Sequence, residues 1–177
     1  GQNQTGRIPF RPQEAEVEKE IRDCGLAFDP VSKEKNIEIS WRELPANTVW
    51  IDPHILCICF QNLLSNALKF TPAGGSIRIS GEVDGGHYLL HVRDSGRGLS
   101  PNEWSRLFSD VPHSRNGTEG EKGAGIGLTI VKEMLGKYHG VVLLKNNPDE
   151  GVTATLKLQL FEEIPQRIRE QGISESA

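Results

Sequence analysis

Several common protein classes are excluded by what this sequence lacks. It has three cysteines, Cys24, Cys57 and Cys59, an odd number without the spacing of a disulfide framework. Buried reduced thiols in a cytosolic protein account for them best. Cys57 and Cys59 stand two apart on a helical pattern, so they point to nearly opposite sides and do not share a metal. The longest apolar runs fall short of the ~20 residues of a membrane span, and no secretory signal opens the chain. No membrane contact is therefore expected. Basic residues do not cluster: 20 Lys and Arg against 24 Asp and Glu leave a net charge of −4. Nothing there marks a nucleic-acid surface. The 177 residues are enough for one well-cored domain and too few for a second large one.

What is present centres on one stretch, residues 52–71, DPHILCICFQNLLSNALKFT. Leu56, Cys59, Phe60, Leu63, Leu64, Ala67 and Leu68 recur at three- and four-residue steps, the pattern of an amphipathic helix with one buried face. Asp52 followed by Pro53 reads as an N-cap with proline at the first helical position. Asn62, Asn66 and Lys69 form a second stripe beside the buried one. Two carboxamides and an ammonium along one flank suit a metal-bound polyphosphate; a plain polar helix edge has the same composition.

Before this helix, Val17, Ile21, Cys24, Phe28 and Val31 predict a first amphipathic helix within residues 12–35, kinked or ended near Asp29 by Pro30. Ile37–Trp41 alternates as a half-buried strand, and Val49–Ile51 reads as a second short one. After it, Pro72-Ala-Gly74-Gly75 stops the helix. Residues 76–83 and 87–92 predict two strands joined by a hairpin at Asp84-Gly85-Gly86. His87 and His91 share a strand face but lie about 13 Å apart, too far to chelate one metal.

Two glycine motifs follow. Asp94-Ser-Gly96-Arg-Gly98-Leu99 comes directly after a strand, where glycines let the chain turn and let a flat ligand approach. Residues 100–122 are polar and read as a loop, with an apolar cluster at Trp104, Leu107 and Phe108. A structureless run of that length points to a lid or to disorder. Gly123-Ala-Gly125-Ile-Gly127-Leu128 then opens a helix whose inner face is Ile130, Val131, Met134, Leu135 and Tyr138. Glycine-rich backbone entering a helix N-terminus favours phosphate. It lacks the Lys-Ser/Thr of a Walker loop and the third glycine of a dinucleotide fingerprint. Taken alone, it is either a phosphate cradle or a hinge. Residues 140–144 and 152–160 predict a closing hairpin, and the tail beyond Phe161 reads as a short surface helix or disorder.

Taken in order, NLLSNALKFT, DSGRG and GAGIGLTIVK closely resemble the ATP-binding catalytic domain of sensor histidine kinases, of the GHKL superfamily with the gyrase and mismatch-repair ATPases. The resemblance covers residues 10–161, leaving 1–9 as a linker or cloning scar and 162–177 as a polar, flexible tail. It implies an α+β fold, a two-layer sandwich of the Bergerat type. A mixed, mainly antiparallel sheet of about five strands is backed by three helices, with a lid over about 100–124. Carried over, Asn66 would be the Mg²⁺ ligand, with Asn62 and Lys69 approaching the phosphates of ATP. Asp94 would accept a hydrogen bond from the adenine amino group, and Gly96 and Gly98 would make room for the ring. Gly123, Gly125 and Gly127 would wrap the phosphates, with Leu128 starting the helix beneath. Thr153 is similar in place to a family threonine near the adenine, at a register open by one residue. Arg115 and Lys122 in the lid are further phosphate contacts or simply solvated charges.

The sequence departs from the family in three places. Phe108 matches the lid motif, whereas Val111 stands where a second aromatic is common. Ile58 replaces a frequent glutamine. The phospho-accepting histidine motif is missing: none of His54, His87, His91, His113 or His139 has its context. The resemblance therefore implies a protein-histidine kinase whose acceptor and dimerisation domain lies upstream. It would act in the cytoplasm as a monomeric piece of a longer sensor, with a response regulator downstream. A hydrolysing ATPase of the superfamily would carry a glutamate where Asn62 stands, and an amide is no general base. A non-catalytic nucleotide-sensing module is the remaining alternative.

Overall fold

The computed structural model describes residues 11–107 and 124–171. Five strands, β2 (Glu38–Trp41), β4 (Ser76–Asp84), β5 (His87–Asp94), β6 (Val141–Asn146) and β7 (Val152–Gln159), form one sheet in the order β2-β4-β5-β7-β6. β2 runs parallel to β4, and every other pair is antiparallel. Helices α1 (Val17–Gly25), α3 (Pro53–Phe70) and α5 (Ala124–Gly136) cover one face. α3 lies in the middle, packed against both α1 and α5. This is the expected α+β sandwich.

α3 forms where the periodicity places it. The Asp52 carboxylate accepts the His54 N–H at 2.9 Å, and Pro53 occupies the first turn, where its missing N–H costs nothing. All seven predicted core positions are buried, joined by Ile55. They meet the inward row of the sheet, Ile77, Ile79, Tyr88, Leu90, Val92, Leu156 and Leu158. Alternation along β5 leaves Asp94 on this inner face, because it shares parity with Tyr88, Leu90 and Val92.

The N-terminal third differs from the expected single helix. Residues Gln13–Glu16 are a strand, β1, pairing antiparallel with β3 (Thr48–Ile51) in a separate two-stranded sheet. α1 then runs into a 3₁₀ turn at Leu26–Phe28, and α2 (Asp29–Lys35) restarts with Pro30 in its first turn. Proline here opens a helix instead of closing one, since that position has no i−4 carbonyl to serve. Val31, expected in the core, is 47% exposed, and Ile130 on α5 is 40% exposed.

The segment after Leu99, expected to be a loop, begins with α4 (Pro101–Leu107). Its start is a reciprocal cap: the Ser100 N–H donates to Glu103 Oε1 at 2.9 Å, and the Glu103 N–H donates to Ser100 Oγ at 3.2 Å. Past Phe161, a 3₁₀ turn at Phe161–Glu163 leads to α6 (Gln166–Gln171), where the Arg169 guanidinium lies 4.4 Å from the Phe161 ring centre. Gly123 and the lid residues Phe108, Val111, Arg115 and Lys122 lie outside the described residues.

Candidate functional site

A cleft enclosing about 390 Å³, part of it open to solvent, lies between the C-terminal half of α3, the start of α5 and the ends of β5, β6 and β7. Its lining has nine apolar side chains, among them Phe70, Leu99, Leu128, Leu144 and Val152, and two polar ones, Asn66 and Asp94. Apolar walls around one buried acid suit a flat ring with a single directional hydrogen-bond donor.

Asp94 is 6% exposed. Its Oδ1 accepts the Gly96 N–H at 2.8 Å and the Val152 N–H at 3.1 Å. Burial pushes its carboxyl above the usual carboxylate range, while those two N–H groups pull the other way. Both bonds fall on one oxygen, so the carboxylate is fixed in direction. Two glycines permit the close approach. A Cβ on Gly96 would overlap the Phe70 carbonyl, and one on Gly151, where φ is +79°, would overlap the Asp94 carbonyl. Gly151 is a site residue that sequence reasoning missed.

Asn146, at the end of β6, was missed too. Its amide bonds the backbone of Leu99 at both N–H and carbonyl, holding the loop after β5 against the sheet. Gly98, with φ +81°, turns the chain just ahead of that contact. Arg97 lies 5.8 Å from the Phe70 ring centre and bonds both oxygens of Glu103, at 2.9 and 2.6 Å, tying α4 to the same loop.

The structure brings Asn66, Asp94 and Leu128 together on the cleft wall. Asn62, one turn earlier on α3, donates its Nδ2 to the Ile58 carbonyl at 2.9 Å and presents its Oδ1 to the start of α5. A Cβ on Gly127 would sit 2.7 Å from that oxygen. Gly125 lies in the first turn of α5. Lys69 is half-buried beyond the cleft lining, its carbonyl accepting from Lys35 Nζ at 3.4 Å.

Thr153 is not in the cleft. It lies on the outer face of the sheet and donates its hydroxyl to Asn147 Oδ1 at 2.6 Å, while its neighbours Val152 and Ala154 line the cleft. The register is one residue earlier than the threonine reading requires. The alternation of β7, apolar at Val152, Ala154, Leu156 and Leu158 and polar between, carried that signal.

No cluster of three or more His, Cys, Asp or Glu side chains among the described residues is arranged to hold a metal, and no helix there is long and apolar enough to cross a membrane.

The family model for histidine kinase-, DNA gyrase B- and HSP90-like ATPases matches residues 51–162, and the chain belongs to that family. Within it, the chain is of the sensor histidine kinase type. It is similar to the sensor protein CreC of Escherichia coli strain K12, 33% identical over 142 residues, covering 77% of this chain and 30% of that protein. Sensor protein EvgS of the same strain is 31% identical over 172 residues, covering 93% of this chain and 14% of EvgS. The chain thus spans less than a third of either relative. Among solved structures, the nucleotide-free catalytic domain of histidine kinase ThkA matches with a TM-score of 0.71 at 21% identity, covering 86% of this chain and 96% of that one. Full-length ShkA in complex with AMPPNP matches with a TM-score of 0.70 at 26% identity, covering 86% of this chain and 32% of that one.

Proposed function

We propose that the cleft binds Mg²⁺·ATP and that, in the parent protein, this domain presents the γ-phosphoryl group to a histidine on an acceptor and dimerisation domain outside this sequence. The observation that carries the reading is the buried Asp94 in the wall of an apolar slot, one of its oxygens tied to backbone. An acceptor-only carboxylate takes the adenine amino group and rejects guanine, whose matching position is also an acceptor.

Asn66 fits a magnesium site of the usual kind, in which one hard oxygen from the protein joins phosphate oxygens and waters. When bound, Mg²⁺ supplies charge neutralisation on the phosphates. The chain's own residues orient: Asn66 and Asn62 lie on one flank of α3, and the glycine-rich first turn of α5 is a helix N-terminus, which favours anionic oxygen. The acceptor histidine nitrogen then attacks γ-phosphorus in line, the P–O bond to ADP breaks, and ADP leaves. Asn62 favours transfer to histidine over hydrolysis, because an amide cannot take a proton from water. The setting consistent with the relatives is the cytoplasmic part of a sensor that passes phosphate to a response regulator.

The test uses γ-labelled ATP with the purified chain, alone and mixed with the parent's acceptor domain. The chain alone is expected to stay unlabelled and to release phosphate slowly, whereas the mixture yields acid-labile, alkali-stable phosphohistidine on the acceptor. Rapid phosphate release by the chain alone would replace this reading with the hydrolytic one.

A further inference from the structure

We infer that Arg93 and Asp149 are positioning residues for the nucleotide cleft: their ion pair on the outer face of the sheet holds the β6–β7 loop so that Val152 presents its N–H to Asp94 on the inner face. The inference rests on the nucleotide reading of the cleft, which neither residue lines. Arg93 and Asp94 are consecutive on β5, so their side chains leave opposite faces of the sheet. Each takes hold of the same loop. On the outer face, Arg93 Nη2 donates to both carboxylate oxygens of Asp149, at 3.0 and 3.1 Å. On the inner face, Asp94 Oδ1 accepts the Val152 N–H at 3.1 Å. Two neighbours in one strand thus grip the loop at points three residues apart.

The loop's own bonds connect the two grips. The Asn147 N–H donates to the Gly151 carbonyl at 2.9 Å, and the Glu150 N–H donates to Asp149 Oδ1 at 2.8 Å. A displacement of Asp149 is therefore passed on towards Val152. Register explains why Arg93 takes a carboxylate from the loop. Arg78 on β4 stands directly opposite it on one side and Thr153 on β7 on the other. Like charges so placed repel, and among the described residues no acid other than Asp149 lies within ion-pair distance of either arginine. Arg93 is 41% and Asp149 69% exposed, so the pair adds little to global stability. Its effect is local, on where one N–H stands.

Asp94 reports that effect. The Val152 N–H is one of the two groups that lower its carboxyl against the larger, raising effect of burial. If the loop slackens, that bond weakens and Asp94 titrates at higher pH. Loss of the Asp149 charge by itself does the reverse, because a nearby anion raises a carboxyl and its removal lowers it. The two effects have opposite signs, so Asp149→Ala separates them. Among the described residues lining the cleft, no other side chain titrates.

The test follows the Asp94 carboxyl by carbon-13 NMR through a pH titration of the full chain without nucleotide, the signal being assigned by its loss in Asp94→Asn. In Asp149→Ala the midpoint should rise by about half a pH unit, and the Val152 amide should exchange faster. Asp149→Glu keeps the carboxylate and should titrate as the unsubstituted chain does. Arg93→Gln, where both effects point upward, should rise at least as far. Calorimetry at pH 7 should find ATP about threefold weaker in Asp149→Ala. An Asp94 midpoint that stays or falls in Asp149→Ala would overturn the inference, whatever happens to urea stability. So would an Asp149→Glu chain that behaves like Asp149→Ala. Should Asp149→Ala fail to fold, the Val152 amide in Arg93→Gln decides, and unchanged exchange there sinks the proposal. Failure of the unsubstituted chain to bind ATP would instead refute the nucleotide reading, and the titration would still report on the loop.

Discussion

The side-chain amide of Asn146 closes on the backbone of Leu99 from both ends: Oδ1 accepts the Leu99 N–H at 3.1 Å and Nδ2 donates to the Leu99 carbonyl at 3.2 Å. One residue on β6 thereby sets where the loop after β5 stands, and with it the Leu99 wall of the cleft. Asn146→Ala removes two hydrogen bonds and leaves both backbone groups to find water. The expected cost is about 1–3 kcal/mol in stability and roughly tenfold in ATP affinity. Urea unfolding and calorimetry read the two separately, and a stability loss without an affinity loss would deny Asn146 a role in shaping the cleft.

Asp94→Asn separates folding from binding. The raised carboxyl pKa means that the folded protein holds this proton more tightly than the unfolded chain does. Asp94 thus adds stability below the ordinary carboxylate range and loses that contribution as pH rises through its elevated folded value. At pH 7 the buried charge is a cost, and an amide oxygen keeps both backbone N–H bonds. The variant should therefore be at least as stable as the parent near neutrality, yet bind ATP about 100-fold more weakly. ATP affinity of the parent should also fall on acidification towards the raised Asp94 value, a trend that Asp94→Asn should lack.

The faces of β7 make opposite predictions for neighbouring residues. Thr153→Ala on the outer face should change ATP affinity by no more than about twofold. Val152→Phe fills the cleft while keeping the N–H that Asp94 needs, and should weaken binding by more than about tenfold. Parallel titrations with a fluorescent ATP analogue check this; a large effect of Thr153→Ala would restore the other register.

Glu103 ties α4 to the cleft loop. Hydrogen bonds from Arg97 pull its carboxyl down to about 2, against a smaller opposing effect of burial, with Ser100 adding to the lowering. A depressed folded value gives stability that is present above the unfolded value near 4.5 and lost as pH falls through about 2. Arg97 is 59% exposed, so screening keeps the gain small. Glu103→Ala should cost about 1 kcal/mol at pH 7 and speed amide exchange across Pro101–Leu107. The stability difference should shrink as pH falls from 4.5 towards 2.

Where the signal is periodic, structure follows the sequence residue by residue. The seven apolar positions of α3, the Asp52-Pro53 start and the β4–β5 hairpin all stand as their spacing requires, because burial of one face and turn stereochemistry act over a few residues. Three of the misses also had local signals that a coarser reading passed over. Ser100-Pro-Asn-Glu103 spells a capping box inside a stretch read as loop. Pro30 fits the first turn of a helix as well as its end. Parity along β7 puts Thr153 and Val152 on opposite faces whatever their chemistry.

Other features had no local signal at all. Nothing in Lys145-Asn146-Asn147 tells that one asparagine grips Leu99 and the next bonds Thr153, since each choice depends on which loop the sheet brings alongside. Gln13–Glu16 becomes a strand because β3 lies beside it, overriding a helical pattern that continues only from Val17. The amino-acid order alone determined the buried stripe of α3, the strand ends and the family motifs, since periodicity and backbone stereochemistry are properties of neighbours in the chain. Tertiary structure alone decided that both N–H groups fall on Asp94 Oδ1 and that Asn146 closes the cleft. Hydrogen bonds act over a few ångströms, and only packing brings residues this distant in sequence within that range.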